Sequence, residues 1–258
     1  MADAMQREAG ESVTAVSIEG LTKDYGSIRA VDGLDLVIPK AEVFGLLGPN
    51  GSGKTTTINC LTGLLKPTEG TIRVMGLDVQ EKGPEAREVM GVSPQETAIY
   101  PYLTGEENIR LFGELYSVPR KTLDARVDYV LEKLGLLDEA RRRVGKYSGG
   151  MKRRVSIAMA LVTDPKVVLL DEPTVGMDPQ ARRAVWDFIV ELRDRGKTVV
   201  LTTHYMEEAD ELCDEVGIID HGKLIELGTP ENLREKYQAR DLEDVFIRLT
   251  GRRIREGA

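Results

Sequence analysis

The stretch that decides the fold is Gly48-Pro49-Asn50-Gly51-Ser52-Gly53-Lys54-Thr55, with Thr56 directly after it. An apolar run at 43–47 precedes it, and the apolar residues of 56–65 recur at the spacing of one helical face. A strand, a glycine-rich loop and a helix in this order form the context in which GxxxxGK[ST] indicates a phosphate-binding loop. Backbone N–H groups at the helix start attract a polyanion, Lys54 adds a charge for the β- and γ-phosphates, and Thr55 offers a hydroxyl to Mg²⁺.

The composition is typical of a globular protein. The chain has 258 residues, of which 41% are hydrophobic and 30% charged, and its formal net charge is −8. No segment approaches the roughly 20 apolar residues that cross a bilayer, and the polar start lacks the apolar core of a signal peptide. The acidic balance argues against nucleic acid as a partner, because such binding needs a basic surface. Cys60 and Cys213 lack metal-ligand spacing, which favours reduced thiols and a cytosolic location.

Two adjacent acids follow the most continuously apolar segment of the chain. Residues 167–170 are apolar throughout, which predicts a strand buried in a parallel sheet. Asp171 and Glu172 then lie at the carboxyl edge, where such sheets bind ligands. Asp171 could hold Mg²⁺ or its water while Glu172 polarises an attacking water; a helix cap or a surface acid pair is the alternative. His204 ends the predicted strand at 198–203 and is expected level with these acids, within reach of a terminal phosphate.

A second loop with an affinity for anions precedes another predicted helix. It reads Tyr147-Ser148-Gly149-Gly150-Met151. A serine hydroxyl and free N–H groups at a helix start suit an anion, although a plain serine N-cap with a glycine turn is the local alternative. The basic clusters at 141–143 and 152–154 are interpreted as solvated faces, the usual explanation for such runs.

The beginning of the chain is predicted to hold an antiparallel β unit. Residues 1–14 read as a disordered tail because they are polar and without period. Strand patterns at 16–25 and 34–38 follow. Tyr25 lies in the turn between them, where its ring could stack on a purine, but ordinary packing is favoured on position alone.

A helical insertion interrupts the α/β order. It is predicted over 97–161 and opens with a capping box formed by Thr104 and Glu107. The insertion could face a partner or pack only on its own domain, and the sequence favours neither. A hairpin with His221 in its turn has no assigned role, and a C-terminal helical extension is predicted over 229–258.

Taken together, these residues resemble the ATP-binding subunit of an ABC transporter. The motifs stand in that family's order, and the resemblance covers most of the chain, from about residue 16 to 251. The motifs are Walker A at 48–56, the Q-loop at Gln95, the signature at 147–151, Walker B at 167–172, the D-loop at 176–178 and the switch histidine at His204. The resemblance implies a P-loop NTPase core, a mostly parallel sheet flanked by helices, in residues 15–96 and 162–228. It also implies an N-terminal antiparallel β subdomain within that core and an inserted α-helical subdomain carrying the signature.

The resemblance also implies ATP and Mg²⁺ as ligands and assigns roles to residues. The catalytic residues would be Glu172, His204, Gln95 and Lys54. ATP would be bound by the loop and the signature, that is by Gly48, Pro49, Asn50, Gly51, Ser52, Gly53, Lys54, Thr55, Thr56, Ser148, Gly149 and Gly150, with Tyr25 stacked on adenine in place of the packing role favoured above. Mg²⁺ would be held by Thr55, Gln95 and Asp171. Met151 departs from the commoner glutamine, which removes one amide from the signature.

Two partners follow from the resemblance. A second copy of this or a similar chain would pack head to tail, its signature closing over the ATP held here, and a separate transmembrane permease would carry the cargo at the inner face of the membrane. The signature variant and the sequence LEDVF at 242–246 resemble ABC-2 exporters, similar to drug-resistance, sodium-efflux and nodulation-factor export ATPases. We expect export of an antibiotic or another lipophilic compound. A soluble non-transport ABC ATPase and the ATP-binding subunit of an importer are the alternatives.

Overall fold

The computed structural model describes residues 13–251. The predicted tail at 1–14 therefore lies outside the described residues as far as residue 12. Thr14 is already the first residue of a strand, since it pairs with Pro39. This strand belongs to an antiparallel sheet with the order β2-β1-β4-β5, formed by β1 (Thr14–Tyr25), β2 (Ile28–Pro39), β4 (Glu69–Val74) and β5 (Leu77–Asp78). The antiparallel β unit expected at the beginning of the chain is thus present.

The larger sheet carries the phosphate-binding loop. Its order is β10-β9-β3-β8-β7-β6, and its strands are β3 (Val43–Leu47), β6 (Met90–Ser93), β7 (Val167–Asp171), β8 (Thr198–Thr203), β9 (Glu215–Asp220) and β10 (Lys223–Gly228). The strands from β9 to β6 run parallel, and β10 joins β9 in an antiparallel hairpin. This mostly parallel sheet with a separate antiparallel sheet is the predicted fold class.

Each face of the larger sheet buries its own core. In β3, Val43 and Leu47 belong to one hydrophobic cluster, and Phe44 and Leu46 belong to the other. Side chains of a strand alternate between faces, so a continuously apolar strand must be covered on both sides. The first cluster joins the sheet to the helical insertion and the C-terminal helices, and the second joins it to the antiparallel sheet. Burying each large apolar side chain contributes about 1.5–3 kcal/mol.

Helices cover the larger sheet and form the insertion. They are α1 (Lys54–Leu61), α2 (Gly83–Glu88), α3 (Gly105–Leu115), α4 (Arg120–Lys133), α5 (Gly149–Leu161), α6 (Pro179–Asp194), α7 (Met206–Leu212), α8 (Pro230–Lys236) and α9 (Leu242–Thr250). The capping box predicted at Thr104 is confirmed, since its hydroxyl accepts from Glu107 N–H at 3.1 Å and its N–H donates to the Glu107 carboxylate at 2.8 Å. Among the described residues, every helix is too short or too polar to span a bilayer.

Element boundaries differ from the prediction in places. The helix expected at 56–65 already ends at Leu61, because Thr62 caps it and Gly63 follows with a φ of 71°. The second strand extends well beyond the expected 34–38, because it pairs with β1 along most of that strand. The short elements β5 and α2 were not predicted, since neither is long enough to show a period.

Candidate active site

The loop between β3 and α1 can only be built from glycine at key positions. Gly51 and Gly53 have φ values of 79° and 109°, which other residues rarely adopt. A Cβ on Gly53 would lie 2.5 Å from the carbonyl oxygen of Ala30. A Cβ on Gly48 would lie 2.3 Å from the carbonyl oxygen of Ile219. The loop is therefore held between β2 and the β9–β10 hairpin, and its backbone can approach a ligand closely.

Ser52 and Lys54 supply polar groups inside this loop. The hydroxyl of Ser52 is buried and has no hydrogen-bond partner within residues 13–251. The ammonium of Lys54 donates to the carbonyl oxygens of Gly48 at 2.8 Å and Pro49 at 3.1 Å. Burial lowers the pKa of Lys54, and the carboxylate of Glu172 partly opposes this effect. An orphaned buried hydroxyl beside a cation and a close-approach loop fits a bound phosphate chain.

Glu172 is the centre of the polar network at the carboxyl edge of the sheet. Its Oε1 lies 3.1 Å from His204 Nδ1 and 3.7 Å from Lys54 Nζ, and its Oε2 accepts from Gln95 Nε2 at 3.2 Å. Burial by itself raises the pKa of Glu172, but the hydrogen bond and charge of His204 and the charge of Lys54 outweigh burial and lower that pKa. The backbone N–H of Glu172 is fixed by Thr202, whose hydroxyl accepts it at 3.0 Å. The carboxylate is thus kept ionised and aimed.

Asp171 is the last residue of β7, directly before Glu172, and is buried. Its Oδ1 accepts from the hydroxyl of Thr202, so one threonine holds both acids of the pair. Thr55 on the first turn of α1 and Gln95 after β6 complete a set of hydroxyl, amide and carboxylate oxygens. Oxygen ligands of this kind are those that Mg²⁺ prefers, so the residues present fit that ion.

An open cleft brings most of these groups together. Its lining comprises Ala30, Asn50, Gly51, Gly53, Lys54, Thr55, Thr56, Gln95 and Glu172. Tyr25, at the end of β1, is not among the residues of this lining and is 46% exposed. The signature residues are also outside this lining. Ser148 is the N-cap of α5, where its hydroxyl accepts from Met151 N–H at 3.2 Å, and both Ser148 and Gly149 are exposed. One chain therefore does not bring its signature into its own cleft.

One buried side chain beside this network, Arg153, is not among the predicted site residues. Arg153 was interpreted as part of a solvated basic run, and this is wrong, because it is only 4% exposed. The signal was available in the helical period: Arg153, Ser156 and Ala160 share one face of α5, and that face is otherwise made of small residues.

The sequence is similar to known proteins over the region that holds the phosphate-binding loop and the two acids. The sequence matches the family model described as ABC transporter over residues 31–175, which is more than half of the chain. The chain belongs to the ABC transporter family. It is an ATPase of that family, because the matched region contains the phosphate-binding loop, Gln95 and the acids at 171 and 172.

Several relatives are ATP-binding proteins named for resistance or export. The ABC transporter chain is 43% identical to the daunorubicin resistance ATP-binding protein DrrA3 of Streptomyces coeruleorubidus and 41% identical to the linearmycin resistance ATP-binding protein LnrL of Bacillus subtilis (strain 168), in both cases over 92% of this chain and 75% of the relative. It is 42% identical to the Nod factor export ATP-binding protein I of Ralstonia nicotianae, over 91% of this chain and 73% of the relative.

Solved structures share the fold. A structure titled as the ATP-binding subunit of an ABC transporter superposes with a TM-score of 0.85 at 28% identity, over 92% of this chain and all of the other. The dimeric post-hydrolysis structure of the ATP-binding cassette MJ0796 bound to ADP and Pi gives a TM-score of 0.76 at 27% identity, over 83% of this chain and 98% of the other. ABC ATPases of this kind dimerise and pair with membrane subunits.

Proposed function

We propose that this chain hydrolyses ATP with Glu172 as the general base. The observation that carries the proposal is that its buried carboxylate contacts Gln95, His204 and Lys54 at the mouth of the phosphate-binding loop. A base must be ionised and within reach of the water that it activates. The lowered pKa of Glu172 meets the first condition at neutral pH, and its place in the cleft lining meets the second.

The other predicted residues would bind and orient the substrate. The loop from Gly48 to Thr56 would wrap the phosphates, Lys54 would exchange its carbonyl contacts for phosphate oxygens, and Tyr25 would stack on adenine. Thr55, Gln95 and Asp171 would hold Mg²⁺, which supplies charge neutralisation at the β- and γ-phosphates. His204 would keep the Glu172 carboxylate in place and contact the terminal phosphate.

The signature would act on a second copy of the chain. Ser148 and Gly149 are exposed at the start of α5 and lie outside their own cleft, and a helix N-terminus with a hydroxyl suits a phosphate. Two chains packed head to tail would each close the other's cleft with Ser148, Gly149 and Gly150. ATP would then hold the dimer together, and hydrolysis would release it.

The work of this cycle would be export through a separate permease. The names of relatives, which refer to daunorubicin resistance, linearmycin resistance and Nod factor export, support an antibiotic or another lipophilic compound as the cargo. The chain would sit at the inner face of the membrane, and its helical insertion and Gln95 loop would transmit movement to the permease. The domain boundaries given above are part of this proposal.

The Glu172→Gln variant tests the proposed base. An amide keeps the shape and the contact with Gln95 but cannot accept the proton of water, so the rate of ATP hydrolysis should fall about 10²–10⁴-fold. ATP binding should persist, and ATP-bound dimers should accumulate and be visible by gel filtration.

Glu191→Gln is the matched control. Glu191 is also paired, with Lys133 at 2.6 Å, but it lies between α4 and α6 and outside the cleft. Its variant should hydrolyse ATP at the wild-type rate. Undiminished hydrolysis by Glu172→Gln, or dimers that form equally well without ATP, would contradict the proposal.

A further inference from the structure

Arg153 connects the signature helix to both sides of the catalytic network. Its guanidinium donates to the carbonyl oxygens of Pro94, of Gln95 at 2.9 Å and of Glu172 at 2.8 Å. The first two carbonyls belong to the loop after β6, and the third belongs to the turn after β7. One side chain on α5 therefore holds the backbone of the two residues whose side chains meet in the cleft.

The contact is built into a close packing of α5 on β6. A Cβ on Gly91 would lie 2.0 Å from the carbonyl oxygen of Ala160, so only glycine allows the helix to approach the strand. One helical turn from Arg153, the buried hydroxyl of Ser156 is 3.0 Å from the hydroxyl of Ser93. Helix α5 and strand β6 are thus packed tightly on each other, with the guanidinium at the end that faces the cleft.

Burying a guanidinium needs compensation, which the site provides for the two terminal nitrogens of Arg153, while its Nε has no hydrogen-bond partner among residues 13–251. Burial lowers the pKa of Arg153, while the negative charges of Asp171, Glu172 and Glu208 oppose this change. The three charge-assisted bonds to carbonyl oxygens use the planar fork of arginine, which a lysine ammonium cannot reproduce. A residue that served only to fill space here would not need a charged fork of donors.

We propose that Arg153 is a positioning residue, which fixes the backbones of Gln95 and Glu172 so that their side chains meet, and which ties this geometry to the signature at the start of the same helix. Ser148 lies five positions before Arg153 and caps α5. Contact of Ser148 with a partner's nucleotide would therefore reach the chain's own hydrolysis network through a short rigid helix. This inference rests on the proposed function, since it assigns Gln95 and Glu172 their roles in hydrolysis.

The Arg153→Lys variant tests the inference, because it keeps the charge and loses the fork. We expect kcat for ATP to fall by about tenfold to a hundredfold, as small displacements of catalytic groups do, with KM for ATP within about twofold of wild type. Most of the proposed ATP contacts come from the phosphate-binding loop, and Arg153 forms its hydrogen bonds outside that loop, so ATP binding should change much less than kcat. A variant that only folds less well would contain fewer active molecules, but each folded molecule would turn over ATP at the wild-type rate. The value of kcat is therefore calculated per folded molecule.

Hydrogen exchange of the nucleotide-free chain provides a readout that needs no activity. In Arg153→Lys, backbone amides of residues 95–97 and 172–176 should exchange faster, because the carbonyls that anchor both segments have lost their donor. If the wild-type chain hydrolyses no ATP, the proposed function fails, and the exchange comparison still decides whether Arg153 holds these segments.

Arg154→Lys is the matched control on the same helix. Arg154 also donates to backbone carbonyls, of Leu134 at 2.7 Å and Gly135 at 3.2 Å, but these end α4 and lie away from the cleft. Its variant should speed exchange near residue 135 and leave kcat close to wild type. Unchanged kcat and unchanged exchange at 95–97 in Arg153→Lys would overturn the inference, as would the same loss of kcat in both variants.

Discussion

Glu172 adopts a backbone conformation that glutamate seldom adopts. Its φ is 53°, and a non-glycine residue in this region costs about 1–2 kcal/mol. The conformation persists because Thr202 accepts the Glu172 N–H both through its hydroxyl and through its carbonyl oxygen, and because Arg153 binds the Glu172 carbonyl. The turn sends the carboxylate away from Asp171 and towards Lys54 and the cleft. Hydrogen bonds from the neighbouring residues thus compensate the strain at Glu172. The strained conformation directs the carboxylate that we propose as the general base towards the cleft.

The lowered pKa of Glu172 makes a prediction about stability and pH. A carboxyl whose pKa is lower in the folded chain stabilises the fold above its unfolded pKa, and this contribution is lost as the pH falls through the folded pKa. Wild type should therefore lose stability relative to Glu172→Gln as the pH is lowered from about 4.5, the pKa of an ordinary glutamate, through the lower pKa that Glu172 has in the folded chain. Melting temperatures of the two proteins across this range test it. A difference that stays constant or changes in favour of wild type would show that the pKa is not lowered.

The location of single residues could be predicted where a local motif fixes it. Gly48, Lys54 and Glu172 could be singled out because loop and strand context restricts what such residues do. Arg153 was not singled out, because it stands next to Arg154 in a basic run, and only the small residues Ser156 and Ala160 on its helical face distinguish the two arginines. The site roles themselves stay predictions until the variants are measured.

Helix α5 combines a structural body with a functional start. Its interior is packed on β6, while Gly149, its first residue, faces open space in which an added Cβ would meet no atom within 4 Å. The glycine at this position is therefore not required by the fold of the single chain. Its small size is explained if a phosphate of another chain's nucleotide approaches the helix start.

The Gly149→Ala variant tests whether this glycine is needed for the fold of the single chain or for the approach of a partner's nucleotide. Alanine is favoured over glycine in a helix by about 1 kcal/mol, so the melting temperature should stay the same or rise. ATP-dependent dimerisation, measured by gel filtration in the Glu172→Gln background, should weaken because the methyl group blocks the approach. Gly91→Ala provides the contrast, since its Cβ would collide with the backbone of Ala160 and should lower the melting temperature. Full dimerisation by Gly149→Ala would remove the reason for assigning this helix start to a partner.

Elements were predictable in proportion to their length and period. The strands at 43–47 and 198–203 were predicted to the residue, because apolar runs between turn signals leave little choice. The helix after the phosphate-binding loop was predicted too long, because Leu65 continues the period although the chain has already turned at Gly63. The strand β5 and helix α2 form through contacts with neighbouring strands, which no local pattern encodes.

At the scale of the whole molecule, the chain holds two sites suited to phosphate that it does not bring together. The cleft opens at the carboxyl edge of the larger sheet, and Ser148 caps a helix outside the lining of that cleft. The order of motifs predicted the fold class correctly, because each motif specifies a strand, a loop and a helix in turn. It could not specify how the insertion is oriented on the sheet, which depends on side-chain packing between distant segments.

A crosslinking experiment between chains tests the head-to-tail dimer. Asn50 and Ser148 are both exposed, whereas the native thiols of Cys60 and Cys213 are buried and burial raises the pKa of each, so engineered thiols should react alone. Chains with Asn50→Cys are mixed with chains with Ser148→Cys, all in the Glu172→Gln background. ATP should bring one pair of thiols together and give an oxidised dimer on a non-reducing gel. Each variant alone should run as a monomer on this gel, because a head-to-tail pair does not place two like positions side by side and no disulfide can form. An equal yield without ATP would mean that the nucleotide does not hold the chains together.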